Sequence, residues 1–585
     1  MSRAIATGWL LLTWVLVTPV GLSAEEPQEG HFGEVVQVRL VNVEVWVTDD
    51  RGAHIQGLGP EDFLVLEDGE PVEISYFAEI RRNRLLLEGS DPAASPAGEG
   101  AGEEPRARGA AERQPNHLVV YLDKLHLAPG SLKRIVRDLR ELLWDLRVPP
   151  ERMLIVSQGR ELQTELAFGS TRREAEAALD RLERSGAGKD SGAVEKRLVI
   201  RNLQQLWQTA EQFAASSPLG GPSGDRVCDY FMPRALKDIE NYIVESRQRL
   251  TVTLDHLSSV AAFLSGVRGV KTMLYVSDSL ERTPGADLIA FANDLCPQWY
   301  DSRLLPLGEE LSRDFDRLTR HANANRVTIY ALQTSGLEGN FSMGADQGFL
   351  ELRGTRSFDG LMRTTERDGM TVLAAETGGR AIFNRNEFDR ELAAVADEME
   401  NYYSLAYDPR HGGDRGDHEI EVRLVGHDFR VRHREGYRDK DPDVRMAERL
   451  QGALFLGLVD NPMGVRLGAG SVERDGEKHL IVPLHVIVPA ESVVFLPGEE
   501  GEVAQLSLQF RTENTRRRGG VFEAQTFRVG KPPGGQEFIS LLVRLRLREG
   551  VHVVAVGVRD DTTREASFVS TTLELHRSAE TLPGG

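Results

Sequence analysis

Leu118-Val119-Val120-Tyr121-Leu122-Asp123 is the stretch that decides the fold. Five apolar or aromatic residues closed by an acid read as a short, fully buried strand. The period then changes. Leu132, Ile135, Val136, Leu139, Leu142, Leu143 and Leu146 recur at helical spacing behind Ser131, a residue suited to an N-cap. The same alternation continues downstream. Met153–Val156, Thr272–Val276 and Val327–Ala331 are further short apolar runs. Between them lie helical stripes at Leu254, Leu257, Val260, Ala261 and Leu264, and at Leu311, Phe315 and Leu318. Buried strands alternating with amphipathic helices predict a Rossmann-like α/β domain over 117–400, its mostly parallel sheet covered by helices on both faces. Residues 186–250 read as a helical insertion, with stripes at Leu203, Leu206 and Trp207 and at Leu236, Ile239 and Ile243. A last helix, N-capped by Asn386, carries Phe388, Leu392, Val395 and Met399 on one face.

Working outward, the flanks read as β. Val41, Val43, Val45 and Val47 alternate, while Val36, Val38 and Leu40 hold the opposite phase, so a bulge or break is expected near Leu40-Val41. Asp68-Gly69 between two apolar runs predicts a tight hairpin. These features make 33–80 a small β-module. Residues 81–116 are a flexible linker, because 87–116 are rich in Gly, Ala, Pro and Glu and poor in large apolar residues. Residues 401–440 return to β and complete a β-module: Tyr402–Pro409 is followed by Glu419–Leu424 and Phe429–Arg432, read as a hairpin. Beyond a polar break near 438–443, residues 447–577 predict a C-terminal β-sandwich, led by the alternation of Ile539, Leu541, Val543, Leu545 and Leu547.

Composition bounds the function. The 585 residues are 40% hydrophobic and 27% charged, enough to bury several cores. A net charge of −20 repels phosphate backbones and anionic lipid heads, which argues against a nucleic-acid partner and against docking on an anionic membrane surface. Arg516-Arg517-Arg518 reads as a solvated loop. Arg3, the apolar run Trp9–Val20 and the small residues Gly21–Ala24 have the layout of a signal peptide over 1–24, cleaved after Ala24, with an uncleaved anchor as the alternative because Leu22 is imperfect at the −3 position. That predicts export to the periplasm, the cell envelope or the medium, with no membrane span in the mature chain. The two cysteines, Cys228 and Cys296, are either one bridge or two buried thiols.

An ordered set of segments resembles a known family. They are Val43-Glu-Val-Trp-Val-Thr-Asp49, Gly57-Leu-Gly-Pro-Glu-Asp-Phe63, Glu67-Asp-Gly69, Val119-Val-Tyr-Leu-Asp123 and Gly269-Val-Lys-Thr-Met-Leu-Tyr-Val-Ser-Asp-Ser279. Val327-Thr-Ile-Tyr330, Glu376-Thr-Gly-Gly379, Tyr403-Ser-Leu-Ala-Tyr407 and His433-Arg-Glu-Gly-Tyr437 follow in the same order. Together they resemble the von Willebrand factor A-related (vWA-related) domain proteins common in acidobacteria, over about residues 35–440. The resemblance implies an exported protein with a vWA-like central domain. It implies no particular ligand.

vWA domains hold a divalent cation through Asp-x-Ser-x-Ser after the first strand, with a Thr and an Asp from later loops. Here the first loop reads Asp123-Lys-Leu-His-Leu127. Asp123 matches, but Leu125 and Leu127 replace both serines, and leucine cannot ligate a hard cation. Asp278 stands where the later Asp belongs, with Ser277 and Ser279 as neighbouring oxygens, and no Thr is identified. Asp123 and Asp278 are therefore the candidate metal residues of a degenerate site. The expectation is no resident cofactor, and at most weak Mg²⁺ or another divalent cation.

Other motifs take structural readings. Gly266 to Thr272 is a helix-to-strand turn, since a phosphate loop follows its strand rather than preceding it. Gly378-Gly379 is a helix C-cap. Arg415-Gly416-Asp417 is turn chemistry. His418, His427 and His433 are solvated side chains near one hairpin. The sequence contains no Gly-x-Ser-x-Gly, His-Glu-x-x-His, Cys-x-x-Cys or Gly-x-Gly-x-x-Gly. The expectation is a non-enzymatic binding or scaffold protein that meets protein partners at the carboxyl edge of the sheet or on the helical insertion. The alternatives are a divalent-cation-dependent adhesin, and an exported hydrolase built on a carboxylate site that leaves no motif.

Overall fold

The computed structural model describes residues 40–82, 84–86, 116–128, 130–144, 148–185, 192–216, 223–267, 269–299, 307–335, 355–385, 388–411, 415–456, 460–476, 478–498, 501–514, 519–532 and 537–576. The expected signal segment 1–24, the 36–39 half of the expected bulge, residues 87–115 of the expected linker, Asn386 and Arg516–Arg518 lie outside them.

Five strands come first: β1 (Val41–Thr48), β2 (Phe63–Glu67), β3 (Glu70–Val72), β4 (Ile74–Arg81) and β5 (Arg84–Leu86). β2 and β3 are joined at Asp68 and Gly69, whose φ values of 51° and 82° are the paired left-handed conformations of a two-residue hairpin. Asparagine, aspartate and glycine tolerate that geometry, which is why Asp-Gly marks the turn.

The central sheet follows. Its strands are β6 (His117–Asp123), β7 (Met153–Gln158), β8 (Leu162–Leu166), β9 (Lys271–Ser277), β10 (Val327–Gln333) and β11 (Ala381–Ile382). Their order is β11-β10-β9-β6-β7-β8, parallel throughout except for β8, which runs antiparallel to β7 at the edge. Its helices are α1 (Ser131–Trp144), α2 (Arg172–Ser185), α3 (Gly192–Ser216), α4 (Ser223–Phe263), α5 (Ala286–Leu295), α6 (Leu307–Ala324), α7 (Thr355–Glu376) and α8 (Asp389–Glu400). Strand side chains alternate between the faces. Leu118, Val120 and Leu122 pack with α1, α2 and α8, whereas Val119 and Tyr121 pack with α4, α6 and α7. Burying each such Leu or Val stabilises by roughly 1.5–3 kcal/mol.

Three local readings change. Segment 254–264 does not form a helix of its own; 254–263 is the end of the 41-residue α4, which begins inside the expected insertion and carries Pro233 in its interior, and Leu264 opens a 3-10 turn after it. Residues of α3, α4 and α5 share a separate core, closed by a Cys228–Cys296 disulfide. The open choice between bridge and free thiols is thus resolved. Third, α8 starts at Asp389 behind Phe388, which makes no side-chain cap.

The chain then returns to the first strands with β12 (Tyr402–Tyr407), β13 (Asp417–Leu424), β14 (Arg430–Arg432) and β15 (Gly436–Arg438). They complete two sheets, β14-β1-β12-β4-β5 and β15-β13-β2-β3, around a core that includes Val43, Val45, Val65, Tyr403 and Val422. β13 and β14 do not form the expected hairpin. β13 pairs with β2 and β15, while β14 pairs with β1, so the two strands enter different sheets. Each finds its partner in the amino-terminal segment, a pairing that local pattern cannot reveal.

A helix, α9 (Pro442–Leu456), opens the last region, where strands are expected from 447. Met446, Leu450 and Ala453 are its buried stripe, at helical spacing. Nine strands follow: β16 (Arg466–Ala469), β17 (Glu473–Asp475), β18 (His479–Pro489), β19 (Leu496–Gly498), β20 (Gly501–Asn514), β21 (Gly519–Gly530), β22 (Phe538–Leu547), β23 (Gly550–Asp560) and β24 (Ala566–Leu575). They form two antiparallel sheets whose buried valines and leucines share one core. The protein is thus a mixed α/β, multidomain chain with several sheets, one of them mostly parallel and flanked by helices.

Candidate functional site

β6 and β9 are neighbours at the centre of the main sheet, yet the chain leaves them in opposite directions: β6 is followed by β7, and β9 by β10. Such a switch point opens a crevice at the carboxyl ends of the strands. Asp123 is the last residue of β6, and Asp278 immediately follows β9. The structure therefore brings both sequence-predicted residues to this crevice.

Alternation along each strand then turns their side chains apart. Asp123 follows Val119 and Tyr121 onto the α4 face. It is fully buried there. Its Oδ1 accepts the Leu125 N–H at 3.1 Å, and its Oδ2 accepts the Tyr275 hydroxyl at 2.7 Å. His126 Nδ1 lies 2.7 Å from Oδ2, and the Thr253 hydroxyl 3.5 Å. Gln158 extends the network by donating to Thr253 at 2.9 Å and accepting from Tyr121. Burial and the nearby Asp123 carboxylate push the Tyr121 and Tyr275 phenols well above their ordinary range, so both remain donors.

Asp278 follows Leu274 and Val276 onto the α1 face. Its Oδ2 accepts the Ala128 N–H at 2.6 Å and the Ser131 hydroxyl at 2.9 Å, and its Oδ1 accepts the Thr334 hydroxyl at 2.7 Å. Burial raises the Asp278 carboxyl above the usual range, although these three donors pull the other way. Ser131, expected to cap α1, thus spends its hydroxyl on Asp278.

The leucine at 127, where a ligating serine would be needed, has a packing reason. Leu127 is fully buried in the core beside Leu132 and Ile135. Ser277 and Ser279 turn inward on themselves, with the Ser277 hydroxyl donating to the Ser279 carbonyl at 2.8 Å. This donor set does not suit Mg²⁺, which wants several oxygens converging near 2.0–2.1 Å (roughly octahedral). The two carboxylates face opposite sides of the sheet, and both are engaged by N–H and O–H donors. Among the described residues, no group of three His, Cys, Asp or Glu is placed to hold a metal ion.

Several site residues were not anticipated. Thr334 occupies on β10 the position that Asp278 occupies on β9, a polar residue directly after an apolar run; that was its signal. A second polar centre lies beside the crevice. Lys196 is buried against Glu281 at 2.6 Å and Asp287 at 2.7 Å. Its signal was a lysine in phase with the buried stripe Ile200 and Leu203, since buried lysines are almost always paired. These carboxylates are bound to a cation and do not form a free acid–base pair.

The remaining motifs are dispersed. His418 contacts Asp68 at 2.9 Å, His427 contacts Asp62 at 3.2 Å, and His433 accepts the Val422 N–H at 3.1 Å. They therefore share no ligand position, and only His427 keeps the solvent exposure expected of all three; His418 is buried. Arg415 pairs with Asp441 at 2.6 Å, and Asp417 opens β13. Gly378, at φ +79°, and Gly379 close α7, with the Gly379 N–H donating to Ala374 O at 2.8 Å; a Cβ on Gly379 would collide with Ile329 O.

No family model and no curated protein matches the chain. Among solved structures, a Northeast Structural Genomics Consortium target aligns with 9% identity and a TM-score of 0.14, over 21% of this chain and 91% of its own. A Bacteroides uniformis beta-glucuronidase aligns with 10% identity and a TM-score of 0.14, over 30% of this chain. The chain spans 19% of that enzyme's length. At these scores the alignments carry no argument about fold or function.

Proposed function

We propose that the chain is an exported, non-enzymatic binding protein. Its central domain is vWA-like, its C-terminal sheets form a β-sandwich, and it engages a protein partner at the carboxyl edge of the central sheet. The observation that carries this reading is the state of the two switch-point acids. Asp123 and Asp278 are consumed in fixing the 123–131 loop, by donors from the loop itself, from α1, α4 and β9, and from Thr334 just after β10. Such an edge is rigid and internally satisfied, which favours recognition by shape over metal-bridged adhesion or hydrolysis. The strand order with one antiparallel edge strand, and the ordered segments shared with vWA-related proteins, support the same reading.

Site-directed photo-crosslinking tests it. A benzoylphenylalanine probe replaces exposed Arg160, in the turn after β7 at that edge, and a control probe replaces exposed Gln56 in the β-module. The expected result is one recurring protein adduct from position 160 in an envelope fraction and none from 56. Equal labelling from both positions, or no adduct, counts against the reading. Mass spectrometry should find a mature chain starting at Glu25; an intact Met1 in the cytoplasm would refute export.

A further inference from the structure

The sheets of this chain guard their edges unequally. An edge strand presents a row of unpaired backbone N–H and C=O groups, and proteins blunt such rows by shortness, irregularity or cover. β3, β5, β14, β15, β17 and β19 have three residues each, β11 two, β16 four and β8 five. β21 is longer, but its pairing with β20 slips between Leu508 and Phe510. β24 is crossed by Asp460, whose carbonyl accepts the Phe568 N–H at 2.6 Å. β22 has none of these devices. Its ten residues pair one for one with β18, from Phe538 opposite Pro489 to Leu547 opposite Leu480, without a slip. β16 and β17 share the other edge of β18, so the far edge of β22 meets no strand among the described residues.

The side chains of β22 leave the same edge open. Ile539, Leu541, Leu545 and Leu547 enter the core of the two C-terminal sheets, and Val543 packs against it. Ser540, Leu542, Arg544 and Arg546 take the alternate, outward positions. Leu542, at the middle of the strand, is 49% exposed. The strand has no proline, no lysine and no inward-pointing charge, the residues that usually protect an edge.

We propose that β22 pairs antiparallel with β22 of a second copy of this chain, about a two-fold axis at Leu542. The strand is its own complement in that register, which runs over residues 538–546, as a two-fold contact requires. On the outer face Leu542 meets Leu542 of the other copy, Ser540 lies opposite Arg544, and Phe538 opposite Arg546. On the inner face Leu541 lies opposite Val543 and Ile539 opposite Leu545, which carries one apolar core into the next. Other axes fit less well. An axis at Val543 sets Leu542 against Arg544, and one at Arg544 or Leu545 sets arginine against arginine. A shift by half a residue sets inward side chains against outward ones. Arg546 is held by Asp475 of its own copy, so the outward row offers little charge for recognising an acidic foreign strand.

Sedimentation velocity of the full chain over a wide concentration range tests the pairing. A monomer–dimer equilibrium is expected. Leu542→Lys sets like charges against each other at the axis and should raise the dimer's dissociation constant by about tenfold or more. Leu542→Asp should do the same. Position 542 is exposed, so the melting temperature of the dilute chain should not change in either variant. Mixing the two variants should restore the dimer, because a contact between the two 542 positions then joins opposite charges. A monomer at every concentration overturns the proposal, as does a dimer that both variants leave intact. A mixture that stays monomeric overturns the pairing about Leu542.

Discussion

The two ends of the central sheet hold buried charge in opposite ways. At the carboxyl end, Asp123 and Asp278 are satisfied mainly by backbone N–H groups and hydroxyls. At the amino end, where the β-module docks, charge meets charge. Glu44 of β1 accepts the Arg326 Nε–H at 3.0 Å, while Arg434 donates to Asn323 O at 2.7 Å and Asn42 O at 2.6 Å. Burial would raise the Glu44 carboxyl, but Arg326 and Arg434 outweigh it and hold it below its usual value. Lys271, the first residue of β9, is pushed down to about 7 by burial and by Arg326. The difference teaches what each end is for. Ion pairs lock one module onto another, whereas neutral donors shape a loop edge without leaving a charge available for ligation.

The comparison breaks most readily at the amino end. Glu44→Gln leaves two guanidiniums facing each other across a buried junction, and we expect a loss of about 3 kcal/mol, the low end for a broken buried pair because Arg326 retains some exposure. The sign follows from a lowered folded pKa. The carboxylate's contribution is present above the unfolded value near 4.3 and fades as pH falls. Urea melts at pH 7 and pH 4 should thus show the gap narrowing in acid. A gap that widens would refute the ion-pair account.

A smaller loss is expected at the carboxyl end. Asp123→Ala strands the Tyr275 hydroxyl and the Leu125 N–H, at about 2 kcal/mol in all. Asp123→Asn keeps one acceptor oxygen, for the Leu125 N–H, and should cost less than the alanine change. Equal losses for the two variants would mean that negative charge, not hydrogen bonding, is what this end requires.

A finer test lies on α3, whose first residue donates to Leu125 O at 2.9 Å and so rests on the same loop. Burial and the neighbouring Glu245 carboxyl push Glu195 up to about 7, with Arg249 opposing. A raised folded pKa means the favourable contribution is complete below the unfolded value near 4.3 and is lost as pH rises through about 7. Glu195→Gln should therefore stabilise at pH 8 and make no difference near pH 4. Its side chain is a quarter exposed, so solvent screening limits the gain to about 1 kcal/mol. A destabilised variant at pH 8 would show that the Arg249 contact dominates.

The sequence makes the strands of the central sheet legible because their signal is local: Leu118–Leu122 is apolar at every position, as only a strand covered on both faces can be. β8 escapes notice because just Leu162 and Leu166 of its five residues are buried. α9 hides because its buried stripe, Met446, Leu450 and Ala453, is short and runs straight into a strand-rich region. The β13–β14 error has a different cause. Ile420 pairs with Glu67 and Val431 with Val47, across most of the chain. The site was half visible. Asp123 and Asp278 announce themselves at strand ends, but their partners come from 147, 56 and 152 residues away in sequence. No spacing rule links them.

The smallest expected effect is none, and it is the sharpest test of how the carboxyl end is built. To ligate Mg²⁺, Asp278 would have to release Ala128, Ser131 or Thr334, and Asp123 would have to release Tyr275 or Leu125. Each release leaves a buried donor unpaired, which costs about 1–3 kcal/mol. The side chains would also have to turn toward one another from opposite faces of the sheet. Leu127, packed in the core where a ligating hydroxyl would stand, supplies no oxygen in return. A ligand bound to the native state at 100 times its dissociation constant stabilises by about 2.7 kcal/mol, a shift that thermal melts resolve easily. Melting temperatures in millimolar Mg²⁺, in millimolar Mn²⁺ and in EDTA should therefore coincide. A cation-dependent rise that Asp123→Ala or Asp278→Ala abolishes would show that the hydrogen-bonded arrangement yields to a metal-bound one, and would put a cation-dependent adhesin ahead of the binding protein proposed above.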